Sequence, residues 1–176
     1  MSWRLDPKKT AFAVIDIQEK LIPVIAGKDR VVAKAVQMAR IAKLFGIPVF
    51  VTEQTPDKLG PTVPDVLAAI PSPSPLAKTT FSAAPILPLD MPKCILVAGI
   101  ETHVCVRQTV YDLRVRDHVV YVLADAVGSR ATADHDIALA ELRSDKVLIT
   151  SVEAVAWEML DSSDSKLFRP GLAILK

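Results

Sequence analysis

A chain of 176 residues, 51% hydrophobic and 23% charged, suits one domain with a sizeable core. A net charge of +1, with Lys and Arg scattered, leaves no electrostatic footprint for nucleic acid or an anionic membrane surface. No apolar run approaches the ~20 residues that span a bilayer, and "MSWRLDPKKTAF" has no apolar stretch ahead of its charges, so no signal peptide is expected.

In chain order, "TAFAVIDI" (10–17) is the first predicted strand, with Asp16 near its end. Val31, Val32, Ala35, Met38, Ala39 and Ala42 form the apolar stripe of a helix. "IPVFVTE" (47–53) is the second strand, with Glu53 and Gln54 at its end. The segment 54–92 holds most of the thirteen prolines. It reads as loops around a short helix near 63–69 and a weak strand near 76–81 that carries Lys78. "KCILVAGI" (93–100) is the next strand, followed by a turn to Cys105 and a helix striped by Val106, Thr109, Val110 and Leu113.

"HVVYVLADA" (118–126) follows, with Asp125 and Ser129 at its end, then a helix with Ile137, Ala138, Glu141 and Leu142. "KVLITS" (146–151) is the last strand, and "SVEAVAWEML" is a helix capped by Ser151. The apolar C-terminal run "FRPGLAILK" packs either on a neighbouring copy or on its own core. Near-continuous apolar strands alternating with helices predict an α/β fold. It is a single doubly wound domain over 1–176, of about six mostly parallel strands with helices on both faces. In such sheets the ligand lies beyond the carboxyl ends of the strands.

That rule brings three chemically distinct side chains to one edge. Asp16 interrupts an apolar strand, where a carboxylate is costly unless paired or used. Lys78 is either a solvated lysine or a charge aimed inward. Cys105 is either a buried free thiol or a nucleophile. An N-cap at Thr102 places Cys105 at the third helical position, where free N–H groups and the helix dipole favour a thiolate. Lowering a thiol pKa of about 8.5 by two units raises its ionised fraction at pH 7 from ~3% to ~75%.

Cys94 reads as core filler, and two cysteines fit a reduced, cytoplasmic protein without a disulfide framework. His103, His118 and His135 lack ligand spacing, so no metal is expected. The Gly-rich nucleotide cradles and the GxSxG elbow are missing, so no cofactor is expected either. Trp3 and Trp157 read as packing anchors.

"FAVIDIQ", "KTTFSA" and "VAGIETHVCVRQTVYD", in that order, resemble the isochorismatase-like cysteine hydrolase superfamily over about residues 10–160. "VTEQTPDKLGPTVPDV" is similar to its isochorismatase domain-containing subgroup, and "DAVGSR" and "ITSVEAVAWEML" also look like family segments. The resemblance implies a catalytic triad of Asp16, Lys78 and Cys105. It implies a cis peptide at Ile100–Glu101 and an oxyanion hole built from the N–H groups of Glu101 and Cys105. It also implies a homo-oligomer.

The metal-bearing branch carries histidines after the second strand, and this chain has none there; the branch that cleaves vinyl ethers lacks the cysteine. Gln18, Glu53, Gln54 and Phe81 are pocket candidates by position. The resulting expectation is a metal-independent cysteine hydrolase cleaving a small amide or related carbonyl compound through an acyl-enzyme. Its partner is a small-molecule substrate, not nucleic acid or membrane. The alternatives are a non-catalytic binding or scaffold module of the same fold and a thiolate-based redox protein.

Overall fold

The computed structural model describes residues 4–176, so Trp3 lies outside the described residues. One parallel sheet of six strands runs through the molecule: β1 (Thr10–Ile15), β2 (Val49–Gln54), β3 (Leu76–Lys78), β4 (Cys94–Ile100), β5 (Val119–Gly128) and β6 (Leu148–Thr150). Their spatial order is β3-β2-β1-β4-β5-β6, the doubly wound arrangement whose switch point lies between β1 and β4. No helix among the described residues is long and apolar enough to cross a membrane.

Alternation along each strand divides the core into two layers. On β1, Phe12 and Val14 face one cluster, while Ala11, Ala13 and Ile15 face the other. The first layer is covered by α1 (Lys28–Phe45), α3 (Pro64–Ala69) and α6 (Val152–Leu160). The second is covered by α4 (Arg107–Val115), α5 (Thr132–Ser144) and a short 3₁₀ turn at Ala84–Ile86. Every residue of β1 is buried, as a central strand covered on both faces requires.

The remaining helices are α2 (Pro56–Leu59) and α7 (Phe168–Leu175). Neither is evident in the sequence pattern. The C-terminal run folds as α7 against its own core: Ile174 and Leu175 pack on the first layer, and Gln37 Nε2 donates to the Ile174 carbonyl at 3.0 Å. Trp157 stacks obliquely on Phe168, with ring centroids 5.5 Å apart.

Strand ends differ from the sequence expectation where they matter most. β1 stops at Ile15, because Asp16 adopts φ 54°, which no extended residue shares. β5 continues to Gly128, so Asp125 lies within the strand. Its Oδ1 accepts the Val152 N–H at 3.0 Å at the start of α6, far from a ligand role. Ser151 is the α6 N-cap as expected, accepting the Ala154 N–H at 3.3 Å.

Candidate active site

Parallel register places the polar groups. Ile15 pairs with Thr52 and Gln54 pairs with Lys78, so the residues at the ends of β1, β2 and β3 lie side by side. Thr52 Oγ1 donates to Asp16 Oδ1 at 2.8 Å, which fixes the rotation of the carboxylate. Asp16 Oδ2 stands 2.6 Å from Lys78 Nζ, and both side chains are fully buried. Among the described residues Oδ2 accepts no aligned hydrogen bond, so this contact is a close ion pair.

Nζ of Lys78 also donates to Gln54 Oε1 at 2.6 Å and approaches the carbonyls of Thr80 at 3.1 Å and Phe81 at 3.0 Å. Two buried charges are thus paired and hydrogen-bonded, the condition that makes their desolvation tolerable.

Cys105 arrives from the other side of the switch point. The Ile100–Glu101 peptide is cis, and the chain then enters a π-helical turn, Thr102–Val106, ahead of α4. Glu101, in extended conformation, precedes this turn, and no side chain caps it. This corrects the expectation that Thr102 is the N-cap. Thr102 is fully buried and its hydroxyl meets His135 Nδ1 at 2.9 Å instead.

The flanking residues are tied to the same region. Glu101 Oε2 accepts the Arg130 N–H at 2.8 Å, and His103 Nδ1 meets Ser129 Oγ at 3.0 Å. The Glu101 carbonyl accepts the amides of Val104 and Val106 at 3.0 and 3.2 Å. Among the described residues, the Glu101 and Cys105 amides donate to no backbone carbonyl outside this turn. Behind Cys105, Thr109 Oγ1 donates to its carbonyl at 2.6 Å and accepts the Ala83 N–H at 2.8 Å.

Cys105 is 7% exposed, and its thiol lies within the influence of both charges. Burial pushes it up to about 12, the Asp16 carboxylate adds to the rise, and the Lys78 ammonium opposes it. The expectation of a thiol lowered by a helix N-terminus is therefore reversed, because desolvation and an adjacent anion outweigh the cation. Cys105 rests as a neutral thiol beside a carboxylate that can take its proton. Iodoacetamide modification of Cys105 is expected to climb about tenfold per pH unit up to pH 10. A plateau near pH 8.5, read by peptide mass spectrometry, would contradict this.

The pocket candidates separate on geometry. Gln18 is fully buried, and its amide serves backbone only: Nε2 donates to the Gln54 and Gly60 carbonyls at 3.1 and 2.7 Å, and Oε1 accepts the Gln54 N–H at 2.8 Å. Gln54 spends its own amide on Lys78 and on the Thr79 carbonyl at 2.8 Å. Glu53 Oε1 holds the Thr62 amide and hydroxyl at 2.7 and 2.9 Å, which closes the loop after α2. Phe81 is 54% exposed beside the Lys78 carbonyl contacts, and its ring is open to solvent.

Cys94 and Cys105 are both free thiols. Among the described residues no three His, Cys, Asp or Glu side chains gather as metal ligands. A cavity of about 530 Å³ adjoins Lys78, lined by Thr55, Thr79, Thr80, Pro85 and Ile86. A larger one, about 670 Å³, lies between α1 and α3, on the first core layer, away from Cys105 in the second.

Comparison with known proteins follows the same outline. Residues 10–154 match the family model described as the isochorismatase domain. Isochorismatase domain-containing protein 2A of Mus musculus is 33% identical over 178 aligned positions, spanning 98% of this chain and 85% of that protein. The structure of MAR1 ribonuclease from Caenorhabditis elegans superposes with a TM-score of 0.93 at 31% identity, covering 98% of this chain and 92% of that one. The YcaC structure from Pseudomonas aeruginosa, described with hexane-2,5-diol and covalent acrylamide, gives a TM-score of 0.89 at 22% identity, covering 99% and 91%. That last likeness is one of fold.

Proposed function

This chain belongs to the isochorismatase family, and on that premise we propose that it is a cysteine hydrolase of a small amide or related carbonyl compound, with Cys105 as nucleophile, Asp16 as proton carrier and Lys78 as fixed cation. One observation carries the reading: a fully buried Asp16–Lys78 ion pair at 2.6 Å acting on a buried thiol. A buried ion pair is weak evidence for stability, whereas an ion pair that perturbs a third ionisable group in a sheet-end site suits catalysis.

The steps balance. As Cys105 Sγ bonds to the carbonyl carbon, its proton passes to Asp16 Oδ2 and the carbonyl π pair moves onto oxygen. The amides of Glu101 and Cys105 are assigned to that oxyanion; loss of one such donor costs on the order of 10²–10³ in rate. Collapse expels the amine, which takes the proton from Asp16, and leaves a thioester on Cys105. Water then gives a proton to Asp16 and its oxygen to the acyl carbon, and the thiolate leaves and regains that proton. Lys78 neutralises the site's negative charge throughout and gains or loses no proton.

The raised thiol weighs against a peroxide-sensing role, which needs a standing thiolate. The net charge of +1 gives no overall electrostatic attraction to an RNA backbone. The 7% exposure of Cys105 favours a small substrate over a polymer. We place the protein in the cytoplasm as a homo-oligomer acting without metal. Light scattering tests the association.

The central test is a hydrolysis screen over small amides, carbamoyl compounds, thioesters and RNA, with Cys105→Ser as the blank. The expected result is turnover of a small carbonyl compound and an acyl mass increment on Cys105, both absent in Cys105→Ser. Turnover that survives Cys105→Ser, or none at all with any small carbonyl compound, overturns the reading.

A further inference from the structure

Lys78 has more acceptors than protons. Its Nζ faces Asp16 Oδ2, Gln54 Oε1 and the carbonyls of Thr80 and Phe81, all within 3.1 Å, and an ammonium carries three hydrogens. Of the four, the carboxylate reacts and the two carbonyls belong to the loop that follows β3. Gln54 is the one neutral side chain, and it is the best anchored. Its backbone N–H and C=O are both held by Gln18, its Nε2 is held by the Thr79 carbonyl, and it lies opposite Lys78 in the strand register. The amide orientation is thereby settled: Nε2 must donate to Thr79, which leaves Oε1 for Nζ.

We propose that Gln54, braced by Gln18, is a positioning residue that fixes the Lys78 ammonium against Asp16 and Cys105, and so sets how strongly that cation acts on the thiol. The inference deepens the hydrolase reading and shares its site, but it concerns the coupling between Lys78 and Cys105, which exists whether or not a substrate is turned over. Gln54 touches no reacting atom. Without its carbonyl oxygen, the three hydrogens fall to Asp16 and the two loop carbonyls, and no side chain anchored on β2 fixes the direction of the ammonium. Hydrogen bonds to buried charges carry about 1.5–3 kcal/mol, a factor of about 10–150.

The experiment measures iodoacetamide modification of Cys105 at pH 9 by peptide mass spectrometry, with Cys94 in the same molecule as the reference thiol. Wild type, Gln54→Leu, Lys78→Met and the double variant are compared after thermal melts establish that each is folded. Gln54→Leu is expected to slow Cys105 at least about tenfold relative to Cys94. Lys78→Met slows it at least as much, and the double variant is no slower than Lys78→Met alone. An unchanged rate in Gln54→Leu overturns the proposal. So does an equal slowing with and without Lys78, because a purely structural role acts in both backgrounds. Where Gln54→Leu fails to fold, Gln54→Asn, polar and one methylene too short to reach Nζ, carries the same expectations. Loss of hydrolysis in the substrate screen with the coupling intact defeats the hydrolase reading alone.

Discussion

Asp16→Asn is expected to lower kcat by about 10²–10⁴ while making Cys105 react faster with iodoacetamide. The two effects have opposite signs because Asp16 does two things to the thiol. It receives the proton during attack, and its negative charge holds that proton on sulfur at rest. With the thiol near 12, about one molecule in a thousand is ionised at pH 9, and each unit of downward shift multiplies that fraction about tenfold. Asparagine keeps the shape and the acceptor for Thr52 Oγ1, removes the charge and cannot take the proton.

The substitution also strands Lys78 without a counter-ion where its side chain is fully buried, which costs on the order of 3–5 kcal/mol of stability. Asp16→Asn/Lys78→Met, with neither charge, is expected to recover most of that stability and none of the activity. Activity, alkylation and melting must therefore be read together. If Asp16→Asn turns over substrate within threefold of wild type, or if its Cys105 reacts more slowly, the assigned role of Asp16 is wrong.

Gly99→Ala is expected to cost more than about 4 kcal/mol, because its added carbon meets a tighter contact than at any other glycine among the described residues. Gly99 is paired with Ile15 at the centre of the sheet and has φ 144°. A Cβ there would stand 2.2 Å from the Ile15 carbonyl oxygen and 2.6 Å from the Ile15 Cβ. The obstacle is backbone of a central strand, so relief requires β1 and β4 to separate just where Asp16 leaves one and the Cys105 turn leaves the other.

At about 2–4 °C per kcal/mol for a chain of this size, a melting point lower by about 10 °C or more, or failure to accumulate folded protein, is expected. Gly46→Ala is the control. It shares a positive φ of 67°, but nothing lies within 4 Å of the added carbon, so only the conformational cost of ~1 kcal/mol remains. Comparable melting points for the two variants would show that close strand approach is not what Gly99 provides.

Some of the candidate site was legible because chemistry stood out against the local pattern. Asp16 breaks an apolar strand, and Cys105 follows a glycine-containing strand end. Lys78 was legible chiefly through the family resemblance; its own segment reads equally well as surface. The braces were not legible. Thr52 and Gln54 look like ordinary residues at a strand end, and the partners they serve lie 36 and 24 residues away. Thr102 has the composition of a helix cap, yet burial against His135, 33 residues on, claimed its hydroxyl. Gln18 and Gln54 are pocket candidates by position alone, and in the fold backbone and Lys78 occupy their amides.

Local pattern was enough to set the order and kind of the major elements, the doubly wound parallel sheet and the edge on which Asp16, Lys78 and Cys105 stand. Hydrophobic periodicity and strand-end position are local properties, readable within ten or fifteen residues. Which polar group faces which, where the C-terminal run packs, and the sign of the shift on Cys105 follow from the folded arrangement alone. Those depend on strand register and on how far water is excluded. An anion and a cation set beside one thiol leave its acidity to their relative distances and to its burial, none of which is written in the chain's local pattern.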